Sequence, residues 1–375
     1  MFPAQDAQAR VSNSAIVVTG GAGFIGANFV RELLRATAAM VVNIDKLTYA
    51  GHLLSLADLG NQPRHHFVHG DICDAAMWRA VFKQYAPVAI INFAAESHVD
   101  RSIDGQEIFI QTNVVGMATL LREARDYHAS LAAEQRHSFR LIQVSTDEVY
   151  GSLGPDDPPF TETTPYAPNS PYSASKAAAD HLARAYFRTY GLPVITTNCS
   201  NNYGPYQFPE KLVPLVIRNA LRGQPLPLYG DGLHVRDWLY VQDHCGALLE
   251  ILRRGSPGET YNVGGNCELT NFEMVTRICT LLDELAPNSA HCPHHRLITH
   301  VAERPGHDRR YAINASKLRY TLGWSPRFSF DEGLRMTVKW CLENTRWCDE
   351  VLRGNYAGDR LGLAAFAAEG TTVDF

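Results

Sequence analysis

The sequence predicts an α/β protein: a doubly wound parallel sheet with a smaller C-terminal α/β substrate domain. Three observations point there. Short apolar strands alternate with amphipathic stretches of helical length. A glycine-rich turn joins the first strand to the first helix. Past about residue 204 the alternation loosens and Pro and Gly become denser, as at a domain change. A length of 375 residues exceeds one typical domain and suits two.

Taken in order, Ala15–Thr19 is a short apolar strand, and helical periodicity then runs from Phe24 to about 39. A second strand over 41–44 ends at Asp45. Further short apolar runs lie at 66–69, 88–93, 141–145 and 194–199, separated by amphipathic stretches at about 74–84, 106–128 and 173–190. Pro205, Pro209, Pro214, Pro225, Pro227, Gly230 and Gly232 mark the second domain. Residues 234–263 (DWLYV, a helix, ETYNVGG) again read as pieces of the sheet domain, so the two domains interleave. The expected division is 12–204 with about 234–263 for the cofactor domain, 205–233 with 264–350 for the substrate domain, and a tail over 351–375.

Apolar residues make up 45% and charged residues 19%, the profile of an ordinary globular protein. A net charge of -5 gives a nucleic-acid partner no electrostatic support, while a small anionic substrate needs only a local cluster of Arg and Lys. The first residues, MFPAQDAQARVSNSA, lack the apolar core of a signal peptide, and no apolar run is long enough to span a bilayer. Eight scattered cysteines with no CxxC pair read as reduced thiols of a cytoplasmic protein. His291, Cys292, His294 and His295 crowd around Pro293 with no partner pair elsewhere in the sequence. They read as a solvated loop, and no metal is expected.

The string Thr19-Gly20-Gly21-Ala22-Gly23-Phe24-Ile25-Gly26 is a GxxGxxG loop between strand and helix. Its first glycines let the backbone turn tightly and approach a pyrophosphate, and its last lets the helix pack closely on the sheet. The helix N-terminus then offers free N–H groups and a positive dipole end to the phosphates. Asp45, ~20 residues on, ends the second strand, where a carboxylate accepts bonds from ribose hydroxyls and repels a 2′-phosphate. The reading is a Rossmann-type domain that holds NAD rather than NADP, although Lys46 next to Asp45 argues the other way. Asp71 and Ile72, at the end of the third strand, are placed to hold the adenine.

Tyr172 and Lys176 form a YxxxK pair opening a predicted helix, on one helix face. A free Tyr, with a pKa near ~10, is a poor base, and an ammonium beside it stabilises the phenolate. Thr146, Asp147 and Glu148 leave the carboxyl end of the strand over 141–145, where open α/β sheets bind ligands. Two adjacent carboxyl groups beside a cofactor offer a general acid and a general base.

The glycine loop, the STDEVYG string (145–151) and the YxxxK pair together resemble the extended short-chain dehydrogenase/reductase superfamily, and within it the dTDP-glucose 4,6-dehydratase family. Supporting strings are DKLTYAG (45–51), GDICD (70–74), FAAESHVDRSI (93–103), TNVVG (112–116), TNCSNNYGPYQFPEKLVPL (197–215), RDWLYVQDH (236–244) and ERPGHDRRYAI (303–313). The likeness covers roughly residues 14–345, and Thr-Asp-Glu is its most specific element. The loop over 152–164 is shorter than in that family.

The resemblance implies dehydration of dTDP-glucose to dTDP-4-keto-6-deoxyglucose. Tyr172 would take the 4-OH proton as hydride passes to NAD, helped by Thr146 and Lys176. Glu148 would remove the C5 proton, Asp147 would protonate the departing 6-OH, and the hydride would return to C6. NAD contacts are implied for Phe24, Ile25, Lys46, Thr48, Ala94, Ala95 and Thr112, besides Gly20, Gly23, Gly26 and the Tyr-Lys pair. The sugar nucleotide is implied to meet Ser97, Thr146, Asn201, Lys211, Leu212, Pro227, Tyr229, Arg236, Asn266, Arg304 and His307. Arg236 and Arg304 can fork onto diphosphate oxygens, and Tyr229 can stack on a base. A homodimer is implied, packed through 106–128 and 173–190. The same chemistry on UDP-glucose or another UDP-sugar, and a sugar-nucleotide 4-epimerase that needs Tyr172 but no acid/base pair, remain as alternatives.

Overall fold

The structure, a computed structural model, describes residues 14–353. Its centre is a sheet of seven parallel strands: β1 (Ala15–Thr19), β2 (Met40–Asp45), β3 (His65–His69), β4 (Ala89–Asn92), β5 (Arg140–Thr146), β6 (Val194–Cys199) and β10 (Thr260–Val263). Their spatial order is β10-β6-β5-β4-β1-β2-β3. The order reverses between β1 and β4, so the crevice at their carboxyl ends is where a dinucleotide belongs.

The inner strands are buried on both faces, which is why β1 (AIVVT) and β4 (AIIN) are near-continuous apolar runs, while the edge strand β3 is only partly buried. Along β1, Ile16 and Val18 pack with Phe29 and Leu33 of the helix Phe24–Ala36 and Leu248 of the helix Val241–Arg254. Ala15 and Val17 pack on the other face with Trp78, Leu120 and Ala179. Those three come from the helices Ala75–Tyr85, Met117–Ser130 and Pro171–Tyr190.

The stretch expected as one helix over 106–128 is interrupted. A short α-turn, Gln106–Phe109, passes into a π-helical segment, Ile110–Gly116, before the helix Met117–Ser130. Asn113 gives the reason. Its side chain bonds the backbone N–H and C=O of Glu96 at 2.9 and 3.0 Å and the Ser175 hydroxyl at 2.8 Å. The wider turn lets one residue serve three partners off the helix axis, a use π segments often have near functional sites.

Beyond β6 the chain builds two small sheets. β7 (Asn201–Tyr203), β9 (Val235–Tyr240) and β11 (Glu268–Thr270) form one, with β9 central. β8 (Leu226–Tyr229) and β12 (Ile298–Val301) pair in parallel as the other. The helix Val241–Arg254 and β10 return to the large sheet between them. The loop after STDEVYG is tied to the later segment by Leu153 N–H to Arg310 C=O and Phe160 N–H to Ala312 C=O, at 3.0 and 2.9 Å. The helix Thr345–Leu352 sets Val351 and Leu352 against Phe208, beside Tyr49 and Ala50. Residues 12–13 and 354–375, the ends of the expected domain and tail ranges, lie outside the described residues. Among the described residues no helix is long and apolar enough to cross a membrane.

The histidine-rich loop departs from the solvated reading. His294 is fully buried, and its ring Nδ1 lies 2.5 Å from the Asp283 carboxylate. The same carboxylate oxygen accepts from the His294 N–H at 3.0 Å and the Cys292 thiol at 2.9 Å. Asp283, on the helix Asn271–Leu285, is the second segment that the sequence does not advertise. Its Oδ1 takes three of the loop's donors, and the other ring nitrogen of His294 lies 3.1 Å from the Ser289 hydroxyl; Asp283, Cys292 and His294 come within 4.8 Å of one another, a spacing that could hold a metal ion.

Candidate active site

The glycine loop leaves β1 at the reversal of strand order. Gly20 has φ +66°, and a Cβ there would lie 2.8 Å from the Ala94 nitrogen. A Cβ on Gly26 would lie 2.2 Å from the Gly20 carbonyl oxygen. Only glycine lets loop, helix and strand approach this closely. Asp45 holds the loop, accepting from Ala22 N–H at 2.9 Å and Leu47 N–H at 2.8 Å. Burial raises its pKa, and those two bonds oppose the rise. Lys46 is not free to meet a 2′-phosphate, because its ammonium pairs with Asp71 at 2.7 Å. The same Asp71 accepts from Cys73 N–H at 2.9 Å, which fixes the turn that places Ile72.

These residues line a cavity of about 300 Å³. It gathers Gly20, Gly23, Phe24, Ile25, Gly26, Asp45, Lys46, Thr48, Asp71, Ile72, Ala94, Ala95 and Thr112 on one side. Thr146, Asp147, Glu148, Tyr172 and Lys176 line the other, with Ser97, Asn201 and Lys211 beside them. Tyr49, Glu96, Phe208 and Glu210 also line it and were not singled out from the sequence. Their strings were visible, but nothing in a lone Tyr or Glu marks it as a wall of a cleft. Arg101 explains part of their order: it lies 3.9 Å over the Tyr49 ring and pairs with Glu210 at 2.9 Å.

Local structure places the groups that the sequence singles out for catalysis. Ser170 caps the helix Pro171–Tyr190 in a reciprocal box with Ser173, and Pro171 takes the first turn. Tyr172 and Lys176 therefore emerge one above the other on the buried face. The Lys176 ammonium donates to the Val144 carbonyl at 2.7 Å, which anchors it to the end of β5. Thr146 ends β5 and caps the tight turn Asp147–Tyr150, accepting from Glu148 N–H at 3.3 Å. Its hydroxyl also hydrogen-bonds Tyr172.

The electrostatics separate the groups. Burial pushes Tyr172 well above its ordinary range, and the charge of Glu148 adds to this. Burial lowers Lys176. Asp147 is driven well up by burial and then by Glu148 beside it, and its Oδ2 is buried without a partner. Glu148 is also raised by burial, but Arg304, Lys211 and Arg236 pull it back. Of two adjacent carboxyls, Asp147 is thus the better proton donor and Glu148 the better acceptor, the split that acid–base pairs need.

The remaining predicted residues lie outside the cavity lining, and Tyr229, Arg304 and His307 meet there. Pro227 and Tyr229 share one face of β8. The Tyr229 ring meets the His307 ring edge-on at 5.7 Å, and His307 stacks on His234 at 3.7 Å. Arg236 is clamped: it donates to the Val235 and Asp308 carbonyls at 2.8 and 2.9 Å and lies 4.4 Å over the Tyr311 ring. Arg304 pairs with Asp100. Leu212 begins the helix Leu212–Leu221, and Asn266 sits at φ +53° in the turn before β11. His234, Glu303 and His307 come within 4.8 Å of one another, a spacing that could hold a cation. Burial first, then Arg304 and Arg236, push His307 far below its usual range, and the same arginines repel a metal ion.

Comparison with known proteins agrees with this geometry. Residues 17–337 match the GDP-mannose 4,6 dehydratase family. A dTDP-glucose 4,6-dehydratase of Xanthomonas campestris is 58% identical over 346 residues, covering 92% of this chain and 98% of the relative. A dTDP-glucose 4,6-dehydratase from Streptomyces venezuelae, solved with NAD and TYD bound, is 47% identical with a TM-score of 0.81, covering 90% of this chain and 99% of that one. A UDP-glucose 4-epimerase from Thermotoga maritima is further away, at 28% identity and a TM-score of 0.77, covering 88% of this chain and 99% of that one. With its acid/base pair standing between the glycine loop and the Tyr-Lys pair, the chain belongs to the dTDP-glucose 4,6-dehydratase family of the extended short-chain dehydrogenases/reductases.

Proposed function

We propose that this protein converts dTDP-glucose to dTDP-4-keto-6-deoxyglucose with NAD as a retained cofactor. The observation that carries the reading is one cleft lined by Asp147 and Glu148 together with Tyr172 and Lys176. An epimerase needs the second pair alone.

The residues fit NAD. The glycine contacts that a Cβ would block leave room for a pyrophosphate, and Asp45 with a Lys46 already engaged by Asp71 suits unmodified ribose hydroxyls. Bound there, NAD would supply the hydride acceptor and donor that keep the reaction redox-neutral. The chain does the rest. Tyr172, bonded to Thr146, takes the proton of the sugar 4-OH. Lys176, anchored on Val144, supplies the positive charge that favours the phenolate. Glu148, moderated by three cations, removes the C5 proton that a 4-keto group acidifies. Asp147, whose pKa burial raises, delivers a proton to the leaving 6-OH. Residues 205–233 and 264–350, joined by Arg236 of β9 in the small three-stranded sheet, supply the sugar-nucleotide side of the cleft, with Tyr229 at the base and Arg236 and Arg304 at the diphosphate. Residues 12–204 and about 234–263 form the NAD-holding part.

The protein works as a homodimer in the cytoplasm. The dimer reading is supported by Ile108, Ile110, Val115 and Tyr190, large apolar side chains left exposed along the two segments expected at a two-fold contact. The cytoplasmic reading is supported by eight free thiols.

The test of function is direct incubation with dTDP-glucose and with UDP-glucose, followed by alkali and near-ultraviolet absorbance of the 4-keto-6-deoxy product. The dTDP sugar is expected to give the chromophore many-fold faster. One methyl group is worth only ~1–3 kcal/mol in an apolar pocket, so a slow UDP reaction fits as well. Preference for UDP-glucose, or UDP-galactose as product, contradicts the reading.

A further inference from the structure

We propose that Asp100 is the positioning residue that sets the sugar-nucleotide subsite before a nucleoside diphosphate arrives. The inference rests on the function proposed above and names a residue that acts through two others. Asp100 lies on the short helix Val99–Asp104, immediately after the Ala94–Ser97 wall of the cofactor cleft. Its carboxylate is buried, and it faces across to residues far away in sequence. One oxygen pairs with Arg304 Nη1, and the other accepts from the Tyr229 hydroxyl at 3.1 Å.

One carboxylate thus fixes both kinds of group that recognise a nucleoside diphosphate: an aromatic ring for the base and a guanidinium for the phosphates. The grip on Arg304 is one-sided. Its Nε is buried and has no acceptor. A buried donor without a partner is costly, and diphosphate oxygens are the acceptors that would satisfy it. Asp100 therefore holds one end of the guanidinium and leaves an inner donor for the ligand. Without that hold, a flexible Arg and a freely rotating Tyr would have to be ordered on binding, which weakens affinity without altering the reacting groups.

Two opposing effects follow from removing the carboxylate. Arg304 loses its brace, and its charge loses a neutralising partner. The brace dominates, because the guanidinium is directional and must present Nε from inside the wall. Asp100→Asn keeps an acceptor oxygen and the volume, and Asp100→Ala keeps neither.

The experiment compares both variants with the parent in steady-state turnover of dTDP-glucose, with thymidine diphosphate as a competitive probe. For Asp100→Asn, KM and the inhibition constant of thymidine diphosphate are expected to rise together by about tenfold or more, the worth of a charged hydrogen bond, with kcat within about threefold. Asp100→Ala should exceed it in KM. Bound NAD should match the parent, which a general loss of fold would not allow. If Asp100→Ala fails to fold, Asp100→Asn carries the test. Tyr229→Phe combined with Asp100→Asn should cost less than the product of the two single effects. An unchanged or lower KM, an equal fall in kcat, lost NAD, or simple multiplicativity with Tyr229→Phe would overturn the inference. A parent that does not turn over dTDP-glucose would instead sink the function itself.

Discussion

Asp147 and Glu148 are neighbours in sequence but differ in surroundings. Asp147 is buried with one oxygen unpartnered, while the charges of Arg304, Lys211 and Arg236 oppose the effect of burial on Glu148. Their proposed tasks differ accordingly, and a leaving-group experiment separates them. Asp147→Asn should lower kcat on dTDP-glucose by ~100- to 10,000-fold, the usual worth of general acid catalysis. A dTDP-glucose analogue carrying fluoride at C6 needs no proton on its leaving group, so it should restore most of that rate. Glu148→Gln should stay slow on both, because the C5 proton must still be taken. Equal rescue of both variants would reverse or dissolve the assignment. The same scale shows where sequence reading stops. Asp100 and Asp283 are plain carboxylates in their strings. Each gains its role from partners reached only by folding: Arg304 and Tyr229 for the first, His294 and Cys292 for the second.

At the scale of elements, strands were the most legible. The run over 194–199 is β6 to the residue, because the β-branched Val194, Ile195, Thr196 and Thr197 favour an extended chain and all six residues are buried. The helix Pro171–Tyr190 was nearly so, since Ser170, Pro171 and Gly191 mark its ends chemically. The π-helical segment Ile110–Gly116 was not, because one extra residue per turn barely disturbs an apolar period. The three-residue strands β7 and β11 carry too few residues for any period to register. The π segment and the long helix also carry the proposed dimer face. Charge placed there should split the dimer: Ile110→Lys, exposed at 49% in the single chain, is expected to shift the mass by light scattering from two copies towards one. The parent running as a monomer at micromolar concentration, or the variant remaining a full dimer, would count against this face.

For the whole molecule, the cofactor half of the site was legible and the sugar-nucleotide half was not. A glycine loop, a strand-end acid and a Tyr-Lys pair are local patterns whose spacing follows from one βαβ geometry. Tyr229, Arg236, Arg304 and His307 come from separate segments between 229 and 307 and meet only because β8, β9 and the 303–313 segment fold against one another. The two halves matter jointly, since oxidation, elimination and reduction must all finish in one cleft before product leaves. The decisive measurement follows the hydrogen itself. With dTDP-glucose deuterated at C4 and no NAD beyond a catalytic amount, the account predicts deuterium in the C6 methyl group of the product and solvent hydrogen at C5. Deuterium retained at C4, or NADH accumulating in step with product, would contradict it.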